Sequence, residues 1–160
     1  MRRVTTLQIR RAEPEDAERL SAIARAAKAH WGYPSAWLAA WEPSLRITPE
    51  HLQRQLVFVG MLGQELIGFY SLEHRGDRWS LEHLWVDPGQ HGRGAGHRLF
   101  AHALDRVREM RPGVVVIESD PFAAGFYTRM GARQTGTVAA PVEGDPNRRL
   151  PVFEIEVHAA

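Results

Sequence analysis

Leu84-Trp85-Val86-Asp87-Pro88-Gly89-Gln90-His91-Gly92-Arg93-Gly94-Ala95-Gly96-His97-Arg98-Leu99-Phe100 runs from an apolar, strand-like segment through a glycine-rich turn into a helical pattern. Asp87-Pro88 ends the strand, and the helix begins inside the turn. Gly92, Gly94 and Gly96 alternate with other residues, so little side-chain bulk covers the backbone N–H groups there. At a helix start those donors lack intrahelical acceptors, and the dipole favours negative charge. The stretch therefore predicts a strand–loop–helix unit that cradles a phosphate-bearing ligand.

The common phosphate motifs do not describe it. A Walker loop needs Gly-Lys-Ser/Thr, which occurs nowhere in the chain. A dinucleotide fingerprint needs a third glycine at its sixth position. Counting from Gly92 that position is His97, and counting from Gly94 it is Leu99. A second stretch lies downstream. Val114-Val115-Val116-Ile117 is a β-branched run that reads as a buried strand. It leads to Asp120-Pro121-Phe122-Ala123-Ala124-Gly125-Phe126-Tyr127-Thr128-Arg129-Met130-Gly131-Ala132.

Together the two stretches resemble the signatures of the GNAT acetyltransferases. The first, Gln/Arg-x-x-Gly-x-Gly/Ala, corresponds to His91-Gly92-Arg93-Gly94-Ala95-Gly96, with His in place of Gln or Arg. The second, Asn-x-x-Ala-x-x-Phe-Tyr-x-x-x-Gly-Phe, is matched at Ala123, Phe126, Tyr127 and Gly131. Asp120 replaces its Asn and Ala132 its Phe. The resemblance extends over nearly the whole chain, from Ile9-Arg10-Arg11-Ala12 to the last strand. Trp31-Gly32-Tyr33 and Arg149-Leu150-Pro151 are similar to features of a bacterial subset.

At 160 residues the chain fits one domain, 1–160, and 44% apolar residues is ordinary for a globular protein. A formal charge of +1 gives no reason to expect nucleic acid or a membrane surface as partner. The absence of cysteine excludes disulfides, thiolate metal sites and a cysteine acyl-enzyme. Met1-Arg2-Arg3-Val4-Thr5-Thr6 has no apolar segment after its arginines, so no secretory signal is read there, and no apolar run reaches membrane-spanning length. The expected location is the cytoplasm. Eight histidines invite a metal reading, but no His-Glu-x-x-His or comparable ligand spacing occurs, so no metal site is expected.

Along the chain, Leu7–Arg10 alternates as a strand does. Pro14 opens a helix with Ala17, Leu20, Ile23, Ala24 and Ala27 on one face. Ser35 is expected to cap a short helix through Trp41, and Thr48-Pro49 to start another. Val57–Met61 and Leu66–Leu72 form a hairpin across Gly63-Gln64. Strands are expected from Trp79 to Val86, at Val114, from Arg133 to Ala139 and from Val152 to Val157. Helices are expected from Gly94 to Met110, with Leu99, Ala103, Val107 and Met110 facing inward, and from Phe122 to Met130. The fold class is α/β, a mixed central sheet with helices on both faces, as in the GNAT acyl-CoA N-acyltransferase fold.

The resemblance implies acetyl-CoA as co-substrate, direct acetyl transfer in a ternary complex, and a small-molecule or peptide primary amine as acceptor. A homodimer is one assembly it allows. It assigns the loop amides of Gly92, Gly94, Ala95 and Gly96 to the pyrophosphate, with His91, Arg93 and His97 beside them and Asp120 as a further cofactor contact. It assigns the backbone of Leu84, Trp85 and Val86 to the cofactor's amide-bearing arm, which adds as a strand would, and one N–H there to the thioester oxygen. Tyr127 matches the general acid, since a phenol with pKa near ~10 stays protonated at neutral pH and can protonate a leaving thiolate. Glu82 is the candidate base, with His83, Glu73, Glu118 and Asp120 as weaker ones. Asp120 also reads as a helix cap before Pro121. Trp31 and Tyr33, with Trp37 and Trp41, bound the acceptor region, where aromatic faces suit a cationic or aromatic group, although a core cluster would look the same. Two other classes compete with the enzyme. One is a non-catalytic acyl-CoA-binding sensor that kept the cradle and lost turnover; the other is a nucleotide-binding module without acyl chemistry.

Overall fold

Strand-forming segments separated by Gly, Pro and Asp punctuation become a seven-stranded mixed sheet in the order β1-β2-β3-β4-β5-β7-β6. The structure, a computed structural model, describes residues 6–160; of the Met1–Thr6 stretch read for a signal segment, residues 1–5 lie outside them. The strands are β1 (Gln8–Arg11), β2 (Leu56–Leu62), β3 (Glu65–Arg75), β4 (Arg78–Val86), β5 (Gly113–Glu118), β6 (Arg133–Ala139) and β7 (Arg149–Val157). The helices are α1 (Ala17–His30), α2 (Ser35–Leu45), α3 (Pro49–Arg54), α4 (Ala95–Met110) and α5 (Ala124–Arg129). The chain divides into two compact units, one of residues up to Ser71 with His83–His102, the other of Leu72–Glu82 with Ala103–Ala160.

In the first unit β1 pairs antiparallel with β2, Ile9 opposite Gly60. Gly63 turns the following hairpin at φ +59°, a conformation that suits glycine. Leu20, Ile23 and Ala24 of α1 share one core cluster with Val57, Val59 and Phe69 of β2 and β3. Gly60 and Gly68 adjoin Val59 and Phe69 in sequence and so point to the opposite face. There they meet Leu99 of α4, whose methyls stand 3.4 and 3.1 Å from where their Cβ atoms would lie. Helices thus cover both faces. Gly68 is further constrained, because a Cβ on it would lie 2.8 Å from the Trp85 carbonyl oxygen of β4.

In the second unit β4 pairs parallel with β5 at Trp79↔Val115 and Ser80↔Val116. The register ends there, although β4 runs on to Val86 and β5 to Glu118. β5 then pairs antiparallel with β7 from Gly113↔Val157 to Glu118↔Val152. β7 begins at Arg149 rather than Val152, because Arg149 and Leu150 find partners in Ala139 and Val138 of β6.

Three sequence expectations are corrected. Ser35 does not cap α2; Pro34 holds the N-cap position with no side-chain bond, and Ser35 is the first helical residue. That helix continues past Trp41 and through Pro43, with Ser44 Oγ donating to the Trp41 carbonyl and Leu45 buried. Met110 does not face inward but is 58% exposed, as the last residue of α4. Leu99, Ala103 and Val107 are buried as expected. The expected helix from Phe122 to Met130 is a 3₁₀ turn, Pro121–Ala123, followed by the shorter α5.

Candidate active site

The glycine-rich loop read as a phosphate cradle lies in the first unit. Asp87 Oδ1 accepts from Gly89 N–H at 3.0 Å and so shapes the turn after β4. Its other oxygen takes Arg19 Nη2 at 2.9 Å. The Gly89 N–H and the Arg19 guanidinium hold the Asp87 carboxyl below its usual range. The chain then passes Gly92 and Gly94, both at φ +79°, while Arg93 and Ala95 have negative φ. Such alternation turns successive N–H groups toward one concavity, which suits an anion. Gly94 stands just before α4, and its carbonyl accepts the first helical bond from Arg98 N–H at 3.1 Å. The N–H groups of Ala95, Gly96 and His97 lie in the first turn and have no intrahelical acceptor. Ala95 packs its methyl with Leu7 and Ile67, while Arg93 and His97 are exposed.

His91 is exposed at the start of this loop, yet its ring turns back. Its Nε2 lies 3.0 Å from the Val86 carbonyl oxygen, so that nitrogen carries the proton. The His30 ring meets it edge-on at 5.2 Å.

Peptide planarity resolves the direction of the β4 backbone. Asp87 N–H donates to Ile67 O of β3 at 2.7 Å. Across that trans peptide the Val86 carbonyl points away from β3. The Trp85 carbonyl lies against Gly68 of β3, so Val86 N–H also points away. Val86 therefore presents both backbone groups on the edge opposite β3, and strand alternation puts Leu84 with it. The Trp85 carbonyl is turned inward to β3.

Beside this edge His83 accepts from Trp85 Nε1 at its Nδ1, 3.0 Å away. Burial, with the charge of His51 adding, pushes His83 down to about 4. It is neutral at pH 7 and a weak base. The unfolded imidazole protonates near ~6.5, so between there and about 4 the unfolded chain binds more protons. Stability should fall as pH drops through this window, by up to about 3 kcal/mol. Denaturation followed from pH 7 to 4 measures that slope, and His83→Gln should flatten it. An equally steep slope in the variant would assign the effect to other groups.

The aromatic segment also lies in this unit. Tyr33, Trp37 and Trp41 pack ring against ring at 4.9 to 5.9 Å. They surround Lys28, the chain's one lysine, whose Nζ is 4.4 Å from the Trp41 ring, 5.0 Å from Tyr33 and 6.0 Å from Trp85. The Trp31 ring lies 6.1 Å from that of His30. Trp41 and Trp85 pack against the α1 core, whereas Trp31 and Tyr33 are half-buried.

The second unit holds the other proton-transfer candidates. Tyr127 is 7% exposed, with its ring 5.1 Å from Phe126 and 6.0 Å from Phe153. Burial, then the charge of Asp120, raises its pKa, so the phenol keeps its proton. Its place is set by the end of α5. Ala132 N–H bonds the Tyr127 carbonyl at 3.0 Å and Gly131 N–H that of Thr128 at 3.1 Å, with Gly131 at φ +94°. This Schellman closure explains the Tyr-x-x-x-Gly spacing. Asp120 Oδ1 accepts from Phe122 N–H at 2.8 Å, which is the expected cap. Glu82 is 25% exposed and ion-paired, its Oε1 3.0 Å from Arg75 Nη2. The pair is not aligned for a hydrogen bond, and that oxygen is buried without one. Arg75 Nη2 also donates to Glu73 Oε2 at 3.0 Å.

Sequence reasoning overlooked Asp87, Arg75 and Lys28 as organising residues. Only Asp87 carried a local signal, an Asp-Pro-Gly turn. Arg75 and Lys28 are recognisable only by what they contact.

The chain belongs to the acetyltransferase (GNAT) family, whose pattern matches residues 19–132. No curated protein matches it in sequence. Among solved structures it is similar to the PaiA N-acetyltransferase of Thermoplasma acidophilum in complex with coenzyme A, with 18% identity, 94% of this chain and 99% of that one covered, and TM-score 0.72. It is also similar to the ribosomal-protein-S18-alanine N-acetyltransferase of Escherichia coli, with 18% identity, 97% and 96% covered, and TM-score 0.72. A third is a GNAT acetyltransferase of Brucella melitensis in complex with acetyl-CoA, with 17% identity, 95% and 88% covered, and TM-score 0.68. At these identities the likeness is one of fold.

Proposed function

We propose that this protein is an N-acetyltransferase that moves the acetyl group of acetyl-CoA directly to a primary amine in a ternary complex, with residues 1–160 working as one catalytic domain. The observation that carries this reading is the loop from Gly92 to Gly96. Its alternating φ signs lead into the α4 N-terminus directly after a strand whose last residue, Val86, presents N–H and carbonyl away from β3. Nothing lies within 4 Å of where a Cβ on Gly92 or Gly94 would stand, so phosphate oxygens have room against the backbone. Gly92, Gly94, Ala95 and Gly96 amides would hold the pyrophosphate, with Arg93 and His97 adding charge. Leu84 and Val86 would pair with the amide arm.

Bound acetyl-CoA supplies an activated acyl group on a thiol leaving group. Val86 N–H is the donor available to the thioester oxygen. Tyr127 Oη holds the proton that a departing thiolate needs. The acceptor must lose a proton, since an alkylammonium with pKa near ~10 costs about 4 kcal/mol to deprotonate at pH 7. Glu82 is the proposed base, and Arg75 orients it. Asp120, already capping its turn, would meet the cofactor only from that position.

The acceptor is a small-molecule or peptide amine, and Trp31 and Tyr33 line its site. Among the described residues no helix is long and apolar enough to cross a membrane. We place the protein in the cytoplasm, without nucleic-acid or membrane partners, and allow a homodimer. A screen of amines with detection of released thiol tests the activity. Because Trp31 and Tyr33 are half-buried, Tyr33→Ala and Trp31→Ala should raise the amine KM several-fold and leave the melting temperature and acetyl-CoA affinity nearly unchanged. Early melting, with loss of about 3 kcal/mol or more, would make them core residues instead.

The sensor reading also has an observation in its favour: Glu82 is engaged by Arg75 and His83 is a weak base, so neither is a free proton acceptor. Binding of acetyl-CoA with no turnover across the amine screen would favour it.

A further inference from the structure

We propose that His91 is a latch on the edge of β4, holding the backbone acceptor that the cofactor's amide arm must use and yielding it only when that arm binds. The inference rests on the acyl-CoA reading above. Its observations are specific to this chain, which carries His where the family's motif has Gln or Arg.

The Val86 carbonyl points away from β3, because the N–H across the same peptide donates to Ile67 O. An extended amide adding along this edge satisfies its N–H at outward-facing carbonyls of this kind. His91 Nε2–H lies on that oxygen at 3.0 Å. The contact closes a short loop, five residues from donor to acceptor. It is backed by His30, the last residue of α1, at 5.2 Å edge-on. A side chain placed to contact a phosphate would turn toward the concavity formed by Gly92 and Gly94. His91 turns instead toward the strand, so the arm and the imidazole compete for one oxygen.

The test separates the arm from the phosphates. Coenzyme A and 3′-phosphoadenosine 5′-diphosphate share the pyrophosphate, and only the first has the amide arm. In His91→Ala, coenzyme A should bind about three- to tenfold tighter, the worth of one competing hydrogen bond, with the arm-less nucleotide unchanged. His91→Gln, which restores a donor, should return the affinity toward that of the parent chain. In NMR of imidazole-labelled protein, coenzyme A should shift the His91 Nε2 signal and the arm-less nucleotide should not. Equal weakening of both ligands in His91→Ala would place the imidazole on the pyrophosphate and overturn the latch. No change in either would overturn it as well. If the parent chain binds neither nucleotide, the acyl-CoA reading itself fails, and the latch falls with it.

Discussion

Tyr127→Phe should slow acetyl transfer by about 100-fold or more while leaving acetyl-CoA affinity within a few fold. The substitution removes one oxygen from a buried ring and keeps its contacts with Phe126 and Phe153. The Schellman closure that positions the residue uses its backbone carbonyl, which the substitution does not touch. The variant should therefore fold, which its melting temperature checks, and the loss then reports proton delivery. A hundredfold in rate is about 2.7 kcal/mol of barrier, more than one neutral hydrogen bond contributes to stability. Burial raises the pKa of this phenol, so it remains protonated through neutral pH and contributes no titration to the rate there. Steady-state kcat with a calorimetric Kd for the cofactor makes the measurement. A variant as fast as the parent chain would remove Tyr127 from the reaction.

Gly94→Glu should abolish the rise in melting temperature that coenzyme A produces. A ligand that binds only the folded state stabilises it by mass action, about 2.7 kcal/mol at a hundred times its Kd. Gly94 sits at φ +79° immediately before α4, so a glutamate there brings both backbone strain and a negative charge to the proposed anion site. Gly94→Ala carries the strain without the charge and should retain part of the shift. Gly96→Glu carries the charge without the strain, because Gly96 lies within α4. A carboxylate in a first helical turn favours the helix dipole, and the melting temperature of the unliganded variant shows whether loss of binding comes from the charge or from unfolding. ATP and NAD should give far smaller shifts in the parent chain. Equal shifts with ATP would refute the coenzyme A assignment and leave a nucleotide site.

Much of the architecture is local information. The alternation read over Leu7–Arg10, which forms a strand at Gln8–Arg11, the apolar face from Ala17 to Ala27, Thr48-Pro49 as a helix start, and the Gly63-Gln64 hairpin all follow from periodicity and turn chemistry. The cradle is local as well, since glycine at 92 and 94 is what φ near +79° requires. Errors fell where tertiary context governs. Met110 continues the α4 stripe in sequence, but at the helix end it is mostly exposed. The helix expected to end at Trp41 runs on through Pro43 to bury Leu45.

The sequence by itself determined the elements, their order, the glycine loop at the end of β4 and the tyrosine four residues before Gly131, because spacing and backbone conformation are properties of neighbouring residues. Tertiary structure alone decided the rest. Arg19 meets Asp87 across 68 positions, and Gly68 admits Trp85 to close approach. Lys28 enters a ring of aromatics, and Arg75 engages Glu82. Above all, the direction of the Val86 peptide is set by a hydrogen bond from Asp87 to Ile67 on another strand. Which edge a backbone group faces depends on its partner strand, and no pattern of side chains along β4 encodes that partner.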